Sequence, residues 1–323
     1  MAGQPVTMSN SVITVTVPGT CGELIQGWSD EWSEPVLVSC PVRLYSRISV
    51  ELQPDQPGIA VNEPGHSAKI RQAARLVLDY LERSGWGVTI TRTSQLIPGR
   101  GMASSTADVV GVIAGLAQAV GRSLTAAELV RLACRIEPSD STMLAGLALL
   151  AYRGSGQFCQ MGQPPTLPLL ILDSGGTVDT LTYNAQLDLA AVRQLGPSTR
   201  AALELLREGL RRADAAAIGA AATLSALSYQ QVSYNLLVEQ AREWATATQA
   251  LGLVRAHSGS VVGLLYPPQT NLAGPGRWLA ARFEGVITPT HLTGGGCQLE
   301  QPSSSLLCEG VFTSQSTPPA MKR

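Results

Sequence analysis

IPGRGMASSTAD, residues 97–108, sets two glycines and a run of small residues directly ahead of an apolar repeat. After Gly101 the apolar positions Met102, Val109, Val110, Ile113, Leu116 and Val120 recur at steps of three or four, broken only by small residues. That period predicts a helix with one buried face. Gly99 and Gly101 allow positive φ or a close approach of backbone to a ligand, and Ala103, Ser104, Ser105 and Thr106 leave the first turn sterically open. The first-turn amides of a helix lack partners within it, and the helix dipole adds partial positive charge there, so a phosphate fits. The same letters also fit a plain turn in which the serines only cap the helix.

Upstream, SVITVTV alternates with β-branched residues and predicts a strand that ends at Pro18 and Gly19. TCGELIQGW, residues 20–28, then reads as a loop carrying Glu23. VLVSCPV and RLYSRISVEL, within residues 36–52, predict two strands followed by the turn QPDQPG. A helix from Ser67, its cap, to about Arg83 and a short strand at 87–93 lead back to the opening stretch.

Downstream, Thr125 and Glu128 form a TxxE capping box at the start of a second helix. That helix delivers IEPSDSTM, in which Glu137 and Asp140 stand three residues apart beside Ser139, Ser141 and Thr142. Two readings stay open: an Asp capping the next turn, or a carboxylate pair suited to Mg²⁺ and an attacking hydroxyl, since the hard cation prefers oxygen ligands. Strands are expected between residues 148 and 174, and helices around 187–195, 198–212, 214–228 and 235–250, the third rich in alanine. LVRAHSGSVVGLLY, residues 253–266, places His257 at a Gly-Ser turn before another strand. A second glycine-rich turn, HLTGGGC, follows at 291–297.

The balance of 23 basic against 24 acidic residues in 323 gives no field that points to nucleic acid or an anionic membrane, so small metabolites are the expected partners. Six cysteines without a CxxC pair read as free thiols in a reducing cytoplasm, and no apolar stretch reaches the roughly 18 residues of a membrane span. No basic region followed by an apolar core opens the chain, so a secretory signal is not expected. The length predicts two domains.

In order and separation these motifs resemble those of the GHMP kinases, the family of galactokinase, homoserine kinase and mevalonate kinase. Their second signature, PxxxGLGSSAA, stands here as Pro98, Gly99, Arg100, Gly101, Met102, Ala103, Ser104, Ser105, Thr106, Ala107, with Met102 for the leucine and Ala103 for a glycine. PGTCGELIQG, residues 18–27, fits the place of the first signature, although Thr20 or Cys21 stands where several members carry a positive charge. Ser258, Gly259 and Ser260 resemble the third signature, with Thr293–Gly296 as the rival. GELIQG, GMASSTAD and IEPSDST look most like the L-threonine kinases of cobalamin biosynthesis, with homoserine kinases next.

The resemblance implies an α+β GHMP kinase fold: an N-terminal domain like ribosomal protein S5 domain 2 over residues 1–165, and a ferredoxin-like domain over 166–323 with a loose tail from about 301. It implies ATP held by residues 98–106 and 258–260, and Mg²⁺ reached by Ser105 and Glu137. Asp140 would orient or deprotonate the substrate hydroxyl, with Ser105 and Glu137 as its catalytic companions, and Glu23, Asp140 and Ser141 would contact a hydroxy amino acid. A metabolite sensor that keeps the ATP fold without turnover is the alternative of another class.

Overall fold

The computed structural model describes residues 12–54, 56–63 and 67–300. Residues 1–11, Asp55 of the QPDQPG turn, the capping side chain of Ser67 and the tail from 301, Cys308 included, lie outside them.

The first half runs β1 (Ile13–Ser29), β2 (Glu34–Gln53), β3 (Gly58–Val61), α1 (Ser67–Tyr80), β4 (Gly87–Ser94), α2 (Ser104–Ala119), α3 (Ala126–Cys134), β5 (Leu147–Leu150) and β6 (Phe158–Gly162). The second runs β7 (Leu167–Asp173), α4 (Thr180–Gln186), α5 (Leu189–Gln194), α6 (Gly196–Arg212), α7 (Ala215–Ser228), α8 (Leu236–Thr248), β8 (Gly252–Arg255), β9 (Val261–Leu265), α9 (Ala273–Ala280), β10 (Val286–Leu292) and β11 (Gln298–Glu300). Helices and a largely antiparallel sheet make this an α+β fold.

Among the described residues eleven strands join one sheet, ordered β11-β1-β8-β9-β7-β10-β2-β4-β3, with β5 attached to β2 and β6 to β5. Because β1 also pairs with β2, the path from β1 through β8, β9, β7 and β10 to β2 returns to its start. β1 does not end at Pro18 as its sequence predicts. It continues through Ser29 against β2, and three register shifts between Pro18 and Ile25 absorb the proline and the glycines that read as a loop. Bulges bend a strand and re-aim its side chains without ending the pairing. The two strands expected between 36 and 52 are likewise one, because Pro41 pairs with Thr20 at such a shift and bends β2 rather than breaking it.

The small-residue helices lie tight on this sheet. A Cβ on Gly111 of α2 would stand 2.6 Å from Ile48 Cγ1, so the glycine sets how closely α2 can approach β2. Alanine-rich α7 packs on β1 and β8 in the same way, burying Ile218, Ala221, Ala222 and Ala226. Leu170, Leu172, Leu253, Val262 and Leu264 on the strands, with Tyr266 just past β9, meet Leu237, Val238, Ala241 and Leu279 of α8 and α9 in a second, smaller core. Each such fully buried side chain contributes about 1.5–3 kcal/mol. Several elements were not foreseen, strands β10 and β11 among them. β3 follows the expected turn, α4 is a short helix held by the Asp179 cap (Oδ1 to Thr182 N, 2.7 Å), and α9 carries two glycines and a proline that mask its period.

Candidate active site

The opening stretch forms the turn from β4 into α2, and its carbonyls are almost all engaged away from the helix. Gly99 O accepts from Val178 N at 2.9 Å, Arg100 O from Ser260 N and Val261 N at 3.1 and 3.2 Å, Gly101 O from Gly22 N at 3.2 Å, and Met102 O from Thr20 N at 3.1 Å. An anion arriving at this turn therefore meets no free carbonyl from these four residues. Gly99 and Gly101 take φ values of 72° and 83°, and the N-cap Ala103 takes φ 56°, ψ 27°. Holding an alanine in the left-handed region costs roughly 1–2 kcal/mol, a strain met most often at functional sites.

No side chain caps α2. The first intrahelical bond runs from Ala107 N to Ala103 O, which leaves the amides of Ser104, Ser105 and Thr106 ahead of it. These residues line a cavity of about 480 Å³ between α1, the α2 N-terminus, the residues after α3, and the start of α4. That volume suits a small-molecule ligand.

Three acids face this helix end. Ser105 Oγ donates to Glu137 Oε1, while Lys69 Nζ pairs with Glu137 Oε2. Thr106 Oγ1 donates to Asp140 Oδ2 at 3.1 Å and accepts from Asp140 N at 3.2 Å. The shifts in β1 turn Glu23 inward, where it is 2 % exposed and its Oε2 has no partner. Burial first, then the charge of Asp140, pushes the Glu23 carboxyl well above the usual range. Burial also lifts Asp140 to about 6, aided by the Glu137 charge and opposed by hydrogen bonds with Glu23 and Thr106. The two acids thus share their site with both carboxyls raised, Glu23 well above the usual range and Asp140 to about 6.

At this end of the cavity His257 Nε2 lies 3.0 Å from Tyr152 Oη, and Nδ1 lies 3.3 Å from both Tyr229 Oη and Gln26 Oε1. Burial, with the charges of Arg255 and Arg153, pushes the imidazole down to about 3. It is neutral at physiological pH and a poor proton acceptor.

The model of the GHMP kinase N-terminal domain matches residues 68–148, the segment that holds α1, α2 and the site's Lys69, Ser104, Ser105, Thr106, Glu137 and Asp140. The L-threonine kinase of Salmonella typhimurium is 31 % identical over 290 residues, covering 88 % of this chain and 90 % of that protein. The chain belongs to the GHMP kinases. Among solved structures, L. major mevalonate kinase in complex with R-mevalonate aligns with a TM-score of 0.68 at 18 % identity, over 91 % of this chain and 100 % of that one. Homoserine kinase from Cytophaga hutchinsonii aligns with a TM-score of 0.67 at 16 % identity, over 93 % and 100 %. These two likenesses establish the fold, which is that of the GHMP kinases.

Within it, the structure brings Pro98, Gly99, Gly101, Met102, Ala103, Ser104, Ser105, Thr106, Glu137, Asp140, Glu23 and Ser258 to the cavity wall. Arg100 is not on that wall: Nη1 bonds Gly176 O and lies 3.6 Å from Asp173 Oδ1. Gly259 and Ser260 support the turn from behind. A Cβ on Gly259 would stand 2.4 Å from the Arg100 carbonyl, and Ser260 Oγ donates to Asp173 Oδ1 at 2.9 Å. Ser141 exchanges hydrogen bonds with Ser39, each backbone N–H reaching the other's hydroxyl at 3.0 Å, and does not line the cavity. Thr293–Gly296 lies beneath the Asp140 loop, with Gly296 N on Thr142 O at 2.8 Å. The sequence reading missed Lys69, Tyr152, Asn184 and the 177–180 wall, none of which sits in a patterned motif.

Proposed function

We propose that this kinase transfers the γ-phosphoryl group of ATP to the side-chain hydroxyl of L-threonine, giving L-threonine O-3-phosphate for adenosylcobalamin synthesis in the cytoplasm. In this reading residues 1–165 are the S5-like ATP-binding domain and 166–323 the ferredoxin-like domain. The observation that carries it is the uncapped α2 N-terminus with Ser105 held on Glu137 and Thr106 on Asp140. The similarity to an L-threonine kinase over most of both chains supports the choice of acceptor.

The triphosphate rests on the amides of Ser104, Ser105 and Thr106. Ser105 Oγ and a Glu137 oxygen, already in contact, are a hard-oxygen pair that would hold Mg²⁺. When bound, Mg²⁺ neutralises charge on the transferring phosphoryl group. Ionised Asp140 accepts the proton of the threonine hydroxyl as oxygen attacks phosphorus and ADP leaves. Glu23, its carboxyl raised by burial and by the Asp140 charge, stands beside Asp140 and limits how it can turn. Because the transition state is loose, positioning supplies most of the acceleration and the proton moves late.

Coupled ADP release with L-threonine, L-homoserine, L-serine and mevalonate tests this. Turnover highest with L-threonine is expected. Preference for another acceptor overturns the substrate, and ATP binding without turnover on the panel overturns the enzyme reading in favour of a sensor.

A further inference from the structure

Lys69 has no role in the mechanism above. It stands in the first turn of α1 and lines the cavity, and its ammonium pairs with Glu137 Oε2 on the side opposite the Ser105 hydroxyl. The Glu137 side chain is 1 % exposed and that of Lys69 33 %, so the lysine reaches the carboxylate from the open side of the cavity. Across the cavity, Asp179 at the start of α4 is held below the usual carboxylate range chiefly by its hydrogen bonds with Thr182, with the Lys69 charge adding to the effect. Lys69 therefore sits between the two walls rather than behind one.

Among the described residues lining this cavity, Lys69 is the sole lysine or arginine. Arg100, one residue inside the phosphate turn, is tied to Gly176 O and Asp173, and Thr20 and Cys21 on β1 carry no charge. A triphosphate on the α2 amides would otherwise meet the carboxylic side chains of Glu23, Asp108, Glu137, Asp140 and Asp179, with Arg92 behind Ser104 already committed to Asp108 and Glu63. An ammonium has three N–H donors, and one serves Glu137.

We propose that Lys69 is a phosphate-contacting catalytic residue, its ammonium bridging Glu137 and the oxygens of the nucleotide's phosphate chain. The bridge joins the group that holds Ser105 to the group being transferred, so charge neutralisation and positioning come from one side chain. This rests on the phosphoryl-transfer reading, and its test separates the two.

The probe is inorganic tripolyphosphate titrated calorimetrically into the full chain in EDTA, without divalent metal. The variants are Lys69→Met, Lys69→Arg, Glu137→Gln and the double variant Lys69→Met/Glu137→Gln, each checked for native near-UV circular dichroism. Lys69→Met should weaken binding about tenfold to a hundredfold, the scale of a hydrogen bond to a charged group, and Lys69→Arg should restore it to within a few fold. The same loss should appear when Lys69→Met is added to Glu137→Gln, where no buried carboxylate is left unpaired. If Lys69→Met is silent in the Glu137→Gln background, the lysine is only a structural partner of Glu137 and the proposal fails. If the wild-type chain binds no tripolyphosphate, the phosphoryl-transfer reading itself fails.

Discussion

Lowering the pH should switch the phosphoryl transfer off through Asp140, and the mutations that move the switch follow from its neighbours. Burial puts this carboxyl at about 6, so its ionised fraction is about nine tenths at pH 7 and about one tenth at pH 5. With Asp140 accepting the hydroxyl proton, kcat/KM should fall about tenfold per pH unit below 6. His257, pushed down to about 3, contributes nothing to that limb. Glu23 stands beside it with its own carboxyl held well above the usual range, and that neighbour opposes the rise of Asp140. Glu23→Ala removes that neighbour and should move the limb upward, whereas Glu23→Gln keeps an N–H donor and should leave it near its place. Asp140→Asn should remove the limb and most of the activity. The assay is coupled ADP release at saturating ATP from about pH 5 to 8, with the coupling enzymes in excess throughout. A flat wild-type profile, or a limb that Glu23→Ala leaves unmoved, refutes the assignment of Asp140 and Glu23.

Ser105→Ala and Glu137→Gln should each lower kcat by about two orders of magnitude or more, as expected for groups that neutralise transition-state charge; steady-state rates with unchanged circular dichroism would check this. Arg92→Met should cost about 3–5 kcal/mol in urea unfolding, because Arg92 Nε lies 2.7 Å from buried Asp108 Oδ2 and its loss takes the guanidinium charge away from that carboxylate. His257 carries the opposite sign to the raised acids: its depressed pKa gives stability that is full above the unfolded value near 6.5 and lost as pH falls toward 3. Relative to His257→Gln, the wild-type chain should therefore lose about 2 kcal/mol of unfolding free energy between pH 7 and 5, and equal losses in both chains would contradict it.

The turn from β4 into α2 was legible because it depends on local facts: small residues at 99–106 and an apolar period after them, as the TxxE box fixes where the helix before Glu137 begins. Glu137 and Asp140 were legible for the same reason, as acids at the end of a countable helix. What stayed hidden depends on partners distant in sequence. Pro18, Gly19 and Gly22 are loop letters, yet β1 passes through them because β2 lies alongside and takes up the shifts. That passage turns Glu23 into the cavity. Ser141 reads as a substrate contact beside Asp140 until Ser39, across the chain, accounts for its backbone and hydroxyl. Lys69 carries no pattern at all: SAKI is an ordinary first turn, and only the packing of α1 against α2 brings its ammonium to Glu137.

The most direct test of the account is a crystal structure of the chain with a non-hydrolysable ATP analogue, Mg²⁺ and L-threonine. It should show the phosphate chain within hydrogen-bond distance of the Ser104, Ser105 and Thr106 amides and the threonine hydroxyl beside Asp140. A nucleotide bound elsewhere, or phosphates at that helix end with the amino acid on another face, would contradict it.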